Sequence, residues 1–335
     1  MKNPLRKRIP RELKSEIGKY LVIFLLMLGT IGMVSGFLVA DGSMIKAYNE
    51  SFEKYNIEDG NFRTGEKVYR GQREAMEEQG IKIYENYYIE EALTNGSTMR
   101  FFKNRDEVDK VCIMEGRLPK TTGEIAIDRM YADNNSLKIG DTLSSGDKTW
   151  KIAGLIALSD YSALFQNNND SMFDAVKFGV SVVTPEEFDS LDQEKLQYNY
   201  SWIYDKKPKD EKEEKEVSED LMKEMGKVVT LENFVPRYQN QAIIFTGDDM
   251  GGDKAMMVML LYIVIAIMAF VFGITTGNTI TKEAGVIGTL RASGYTGNEL
   301  IRHYMTLPVL VTLAGALAGN VLGYTVFKDV CAGMY

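Results

Sequence analysis

His303 is the single histidine of the sequence. One imidazole cannot build a histidine metal cluster, and it makes a Ser-His-Asp triad a poor expectation. Its place at the edge of an apolar run suits a passive interfacial role. Cys112 and Cys331 lie in different regions, so no disulfide framework is expected. The nearest approach to a phosphate-binding loop, Gly146-Asp147-Lys148-Thr149, lacks the glycine before the lysine. ATP hydrolysis is therefore not expected on this chain. Carboxylates are plentiful, with 47 Asp and Glu against 39 Lys and Arg, and in so acidic a chain close carboxylate pairs arise by chance. The residue types point away from catalysis, and no catalytic residue, cofactor, metal or nucleic-acid partner is expected. The clearest spacing signals are mechanical instead. One is a Gly-rich loop around residues 283–295, and the other is the glycine triplet Gly315-x-x-x-Gly319-x-x-x-Gly323. Small residues at that interval let two helices approach closely.

The elements that must position these residues are apolar runs. Residues 20–40, 255–277 and 305–327 contain no charged side chain, although 26% of the 335 residues are charged. Each run has the length of a helix that crosses a hydrocarbon core of about 30 Å. The first is too long for the apolar core of a signal peptide and lacks a small-x-small cleavage site after it. Three transmembrane helices are expected. Residues 1–19 carry seven cations against Glu12 and Glu16, which places this segment in the cytoplasm by the positive-inside rule. Leu13 and Ile17 would give it a short interfacial helix. Residues 41–254 then lie outside, residues 278–304 return to the cytoplasm, and residues 328–335 emerge outside again. Charge agrees with this placement. The net −8 of the chain concentrates in 41–254, and both cytoplasmic segments are net positive.

The segment 41–254 is long enough to own a core and its pattern is mixed α+β. A polar helix is expected over 66–80, ended by Gly80, followed by one aromatic-rich strand over 81–90. Further strands are expected at 123–128, 149–156, 177–184 and 198–204. Thr184-Pro185 marks a helix start, and 206–227 suggests a solvated helix. Residues 41–55 continue the first span as a helical stalk. Gly247, Gly251 and Gly252 are ordinary helix breakers in the approach to the second span, and a hinge there is the sharper reading.

The loop sequence at 281–295, TKEAGVIGTLRASGY, resembles the cytoplasmic loop of FtsX/MacB-like permeases of ABC transporters. Glu283, Gly285, Leu290, Arg291, Ala292, Gly294 and Tyr295 fit that pattern. EGRLP at 115–119, GEIAI at 123–127 and LKIGD at 137–141 resemble the extracytoplasmic core domain of MacB-like proteins. On the residues alone these stretches are turn chemistry leading into strands. Val286, Leu290 and Ile301 would form one apolar face of a loop helix.

The resemblance implies a membrane protein of three transmembrane α-helices, with a large α+β extracytoplasmic domain between the first and second. It implies a multi-pass permease subunit in the bacterial inner membrane, whose loop couples to a separate cytoplasmic ABC ATPase. Motion would pass to the outer domain for export or extraction of a peptide, drug or lipid-like substrate. The implied partners are a second copy or a related permease, and membrane lipids. The alternative is an FtsX-like regulator that activates an extracytoplasmic cell-wall hydrolase. Members of the family have at least four spans and end in the cytoplasm, so the chain is expected to be the N-terminal part of a longer permease.

Overall fold

The computed structural model describes residues 4–333. Helix α1 (Ile9–Ser15) is followed, after Glu16, by the long helix α2 (Ile17–Lys54). The chain then runs through β1 (Gly60–Thr64), α3 (Arg70–Glu77), β2 (Ile81–Glu85), β3 (Tyr88–Ala92), β4 (Thr98–Lys103) and β5 (Val111–Gly116). There follow β6 (Glu124–Asp128), α4 (Arg129–Asn134), β7 (Thr142–Ser145), β8 (Lys148–Leu158), β9 (Phe178–Val183) and α5 (Pro185–Ser190). Strand β10 (Tyr198–Tyr204), helix α6 (Glu211–Met225) and strand β11 (Leu231–Pro236) complete the β-rich part. The chain ends its described course with α7 (Gln241–Lys282), α8 (Ala284–Ala292), α9 (Gly297–Leu322), a π-helical turn (Gly323–Phe327) and α10 (Lys328–Ala332). Two compact units result among the described residues: 47–248, and 4–46 together with 249–333.

Among the described residues, three helical stretches are long and apolar enough to cross a membrane: Ile17–Lys54, Gln241–Lys282 and Gly297–Ala332. They hold the three uncharged runs, and the large α+β domain lies between the first and second of them. Each helix extends past its apolar run. The first continues to Lys54, through Gly42, because residues 41–54 contain no proline.

In the unit 47–248 two sheets share the work. A four-stranded antiparallel sheet runs β11-β1-β10-β2. Its core gathers Phe62, Tyr200 and Trp202 from the strands with Met76 of α3 and Leu221 and Met225 of α6. Phe62 stacks on Tyr200 with ring centroids 5.0 Å apart, and Trp202 on Phe234 at 4.6 Å. The second sheet has the order β3-β4-β9-β6-β8-β5, with β7 paired to β8. It mixes parallel pairs, β4 with β9 and β6 with β8, with antiparallel ones. Phe101, Trp150, Tyr131 and Ile125 stand in its core. The short helices start on side-chain caps. Asp128 accepts from the Met130 and Tyr131 amides, Thr184 from Glu187, and Asp210 from Glu213.

Four sequence expectations need correction here. The stretch 81–90 is two strands, and they belong to different sheets: β2 closes the four-stranded sheet and β3 edges the other. The chain changes sheets at Asn86 and Tyr87, where the buried Asn86 side chain turns to Ser201 of β10 and Arg105 of the loop after β4. The helix over 66–80 is shorter, with α3 confined to Arg70–Glu77. Helix α6 is not solvated all round, since Ser218, Leu221 and Met225 are buried. The glycines at 247, 251 and 252 do not interrupt α7. Gly247 has a packing role instead: a β-carbon there would stand 2.7 Å from the Tyr48 ring, whose hydroxyl donates to the Ile243 carbonyl at 3.0 Å.

Candidate functional site

The residues singled out in the loop fall on one helix, the junction before it and the turn after it. Glu283 stands at the junction of α7 and α8, and Gly285, Leu290, Arg291 and Ala292 lie on α8. Gly294 has φ +94°, a conformation that costs other residues a steric penalty. Its amide donates to the Arg291 carbonyl, and the Tyr295 amide reaches back to the Leu290 carbonyl, both at 3.1 Å. These are the two bonds of a Schellman helix stop. Immediately afterwards Thr296 caps α9. Its hydroxyl accepts from the Glu299 amide at 3.4 Å, while the Glu299 carboxylate accepts from the Thr296 amide at 2.8 Å. That reciprocal pair is a capping box. The local sequence Ser293-Gly294-Tyr295-Thr296 thus ends one helix and begins the next.

The apolar face drawn through Val286, Leu290 and Ile301 does not exist as a single helical face. Ile301 belongs to α9, beyond the Schellman turn, while Val286 and Leu290 belong to α8. What α8 offers is nine residues with none buried. Val286 is 43% exposed, Arg291 and Ala292 are exposed, and Leu290 is half-buried.

Glu283 is tied to chain far from it in sequence. Its Oε2 accepts from Arg8 Nη2 at 3.0 Å and from the Tyr304 hydroxyl. Arg8 Nε also pairs with Glu12 Oε1 at 3.2 Å, one turn along the same helical stretch. The same Glu12 oxygen lies 3.2 Å from Nε2 of His303, whose side chain is only 3% exposed. Lys19 bonds Glu16 at 3.0 Å and the Thr279 hydroxyl at 2.9 Å. The N-terminal segment, a topology signal in the sequence, therefore ties Lys19 to Thr279 near the end of α7, Arg8 to Glu283 before α8, and Glu12 to His303 of α9. His303, expected in a passive interfacial role, is buried against Glu12. The i, i+4 spacing of Arg8 and Glu12 and the i, i+3 spacing of Glu16 and Lys19 were the local traces of this network. Nothing local connects either residue to position 283.

Gly315, Gly319 and Gly323 line up along one side of the third membrane helix, against α2. A β-carbon at Gly315 would be 3.0 Å from the Phe24 carbonyl oxygen. At Gly319 it would be 2.9 Å from the Leu28 oxygen, and at Gly323 2.9 Å from the Gly32 oxygen. Glycines on α2 reciprocate, because the Phe327 side chain fills the space where Gly32 and Gly36 would carry theirs. The π-helical turn (Gly323–Phe327) sits at this contact. Sequence reasoning found the Gly315 series but not its partners Gly32 and Gly36. Two glycines four apart within Leu-rich surroundings were the available signal.

Among the described residues, no group of three or more His, Cys, Asp or Glu side chains is placed to hold a metal ion. No curated protein matches the chain. Residues 258–332, from within α7 through α8 and α9 to the end of α10, match the family described as FtsX-like permease C-terminal, and the chain is consistent with an FtsX/MacB-like permease.

Proposed function

We propose that the chain is the permease subunit of a bacterial ABC transporter, and that α8 with its closing turn receives the motion of a cytoplasmic ATPase. The observation that carries this reading is the family match, which brackets the second span, the loop and the third span. In that family the permease is the non-enzymatic membrane component and generally works with a cytoplasmic ABC ATPase. Helix α8 suits a docking element because it has no buried residue, with Val286 and Arg291 at its surface and Leu290 at its rim. Force on α8 reaches Glu283, which passes it to Arg8 at the N-terminus and to Tyr304 on α9. The unbroken helices α2 and α7 carry the shift onward to the domain at 47–248 as a rigid-body movement.

Charge supports an orientation with the N-terminal segment and residues 278–304 in the cytoplasm and 41–254 outside the cell membrane. On α7, Met259, Tyr262 and Phe270 are each more than 60% exposed. Such a surface suits lipid, or the second permease of a homodimer or related pair. The substrate would be handled outside the membrane or at its outer leaflet, as a peptide, drug or lipid-like molecule.

Co-purification from membranes with candidate cytoplasmic ABC ATPases tests the reading. An ATPase is expected to accompany the wild-type chain and to be lost at least tenfold with Leu290→Asp or Arg291→Glu. Arg291 is exposed, so its reversal leaves the fold intact. Retention of the ATPase by both variants would sink the assignment of α8 as the coupling element.

A further inference from the structure

Within the unit 47–248 a polar cavity of about 470 Å³ opens beside the junction of the two sheets. That volume lies in the range of sites for small ligands. Its wall is rich in carboxamides, including Asn61, Asn86, Gln166, Asn167 and Asn240. Set in that wall is Glu58, only 1% exposed. Its Oε1 accepts from Asn61 Nδ2 at 2.6 Å and Asn240 Nδ2 at 3.3 Å, whereas its Oε2 is buried with no hydrogen-bond partner. An unpartnered buried carboxyl oxygen is costly and needs an explanation.

The surroundings leave this carboxyl short of positive charge. From the loop after β4 come Arg105 and Asp109, from the loop after β8 Asp160, and from β10 Ser201. Arg105 is spent on Asp160, at 2.8 and 2.6 Å through its two terminal nitrogens. Asp109 accepts from the Glu58 amide at 2.8 Å and from the Ser201 hydroxyl at 2.9 Å, and it has no cation of its own in hydrogen-bond reach. The other guanidiniums of the wall are engaged as well, Arg63 with Glu232 and Arg100 with Glu90. Three buried carboxyls therefore share one guanidinium. Neutral carboxamides line the way in, and the arrangement lacks a cation.

We propose that this cavity binds a small ligand bearing a primary ammonium group beside amide or hydroxyl groups, with Glu58 as the counter-ion and the carboxamides as hydrogen-bonding partners. Burial, and then the charge of Asp160, push the Glu58 carboxyl up to about 7, so near neutrality about half of the molecules hold this proton and below it most do. An arriving ammonium favours the carboxylate. The O–H bond of Glu58 breaks, the proton leaves to solvent, and the ammonium takes its place with net charge unchanged. The site gives the domain at 47–248 a ligand of its own and does not depend on ATPase coupling.

The test uses the full chain in detergent micelles and the probe Nα-acetyl-lysinamide, by titration calorimetry at pH 6.5. Nα-acetyl-norleucinamide, with the same backbone and no charge, is the control. The lysine probe is expected to bind at least tenfold more tightly than the control. Its binding heat should depend on the ionisation enthalpy of the buffer, which registers the released proton. Glu58→Gln should abolish that dependence and weaken the lysine probe at least tenfold, with a cooperative melting transition no lower than that of the wild type showing that the variant folds. Asn61→Ala should weaken binding a few-fold and keep the proton release. Equal binding of the two probes, binding of neither, or wild-type behaviour of Glu58→Gln would each overturn the proposal. Because no ATPase is present, failure here leaves the coupling reading standing, and loss of ATPase co-purification leaves this site standing.

Discussion

At the scale of single residues, the buried carboxyls of the unit 47–248 make a pH argument. The Glu58 group is raised from its ordinary 4.5 to about 7, chiefly by burial and next by the charge of Asp160. Asp109 is raised as well, by burial, Glu58 and Asp160 in that order. Between these values the folded protein binds more protons than the unfolded chain, so stability falls as pH rises from about 4.5 and levels off above about 7. For Glu58 the loss amounts to about 3 kcal/mol. Glu58→Gln is therefore expected to stabilise the protein at pH 8 by up to about 3 kcal/mol and to change little at pH 4. Urea unfolding followed across that pH range checks it, and a variant no more stable than wild type at pH 8 would refute the buried-carboxyl account. None of these groups stood out in the sequence. Glu58, Asp109 and Asp160 are three acidic residues among 47 Asp and Glu, and only folding brings them together.

At the scale of elements, the glycine series decides how closely two membrane helices meet. A side chain at Gly319 would stand within 3.1 Å of the Gly32 nitrogen as well as 2.9 Å from the Leu28 oxygen, and backbone cannot step aside as a flexible side chain can. Gly319→Leu should force the pair apart and lower the thermal midpoint of the micelle-solubilised protein by several degrees, a loss of about 1–3 kcal/mol. Ala314→Leu, at an exposed position of the same helix, should leave the midpoint unchanged. An equal effect of the two substitutions would show that the contact with α2 is not what the glycine serves. The third span and its glycine spacing were legible from composition, because helical period and residue size are local properties. Which helix lies opposite was not legible, because small-residue stripes do not name their partner. Helix α8 shows the same division. Its stop at Gly294 and the start of α9 at Thr296 follow from four consecutive residues, while the tie from Glu283 to Arg8 spans most of the chain.

For the molecule as a whole, the unit 47–248 has its own cores around Phe101 and Trp150 and around Phe62 and Trp202. A fragment of residues 47–248 should therefore fold without a membrane, giving a mixed helix and sheet circular dichroism spectrum and one or two cooperative thermal transitions. A fragment that shows no cooperative transition would mean that these cores depend on the membrane helices. The sequence alone determined the three membrane helices, the place of the large domain between the first two, and the family resemblance of the loop. Each rests on runs of uninterrupted apolarity or on short motifs, which are properties of neighbouring residues. Only the tertiary structure decided that residues 81–90 divide between two sheets, that α7 passes unbroken through Gly247, Gly251 and Gly252, that His303 is buried against Glu12, and that Glu58 lines a cavity with an unpaired oxygen. In each case the outcome depends on what distant chain supplies. Asn86 finds partners in the loop after β4 and in β10, Gly247 receives the Tyr48 ring, and Glu58 meets carboxyls from two other loops. Burial and pairing between distant segments carry no local signature, so they emerge only when the chain is folded.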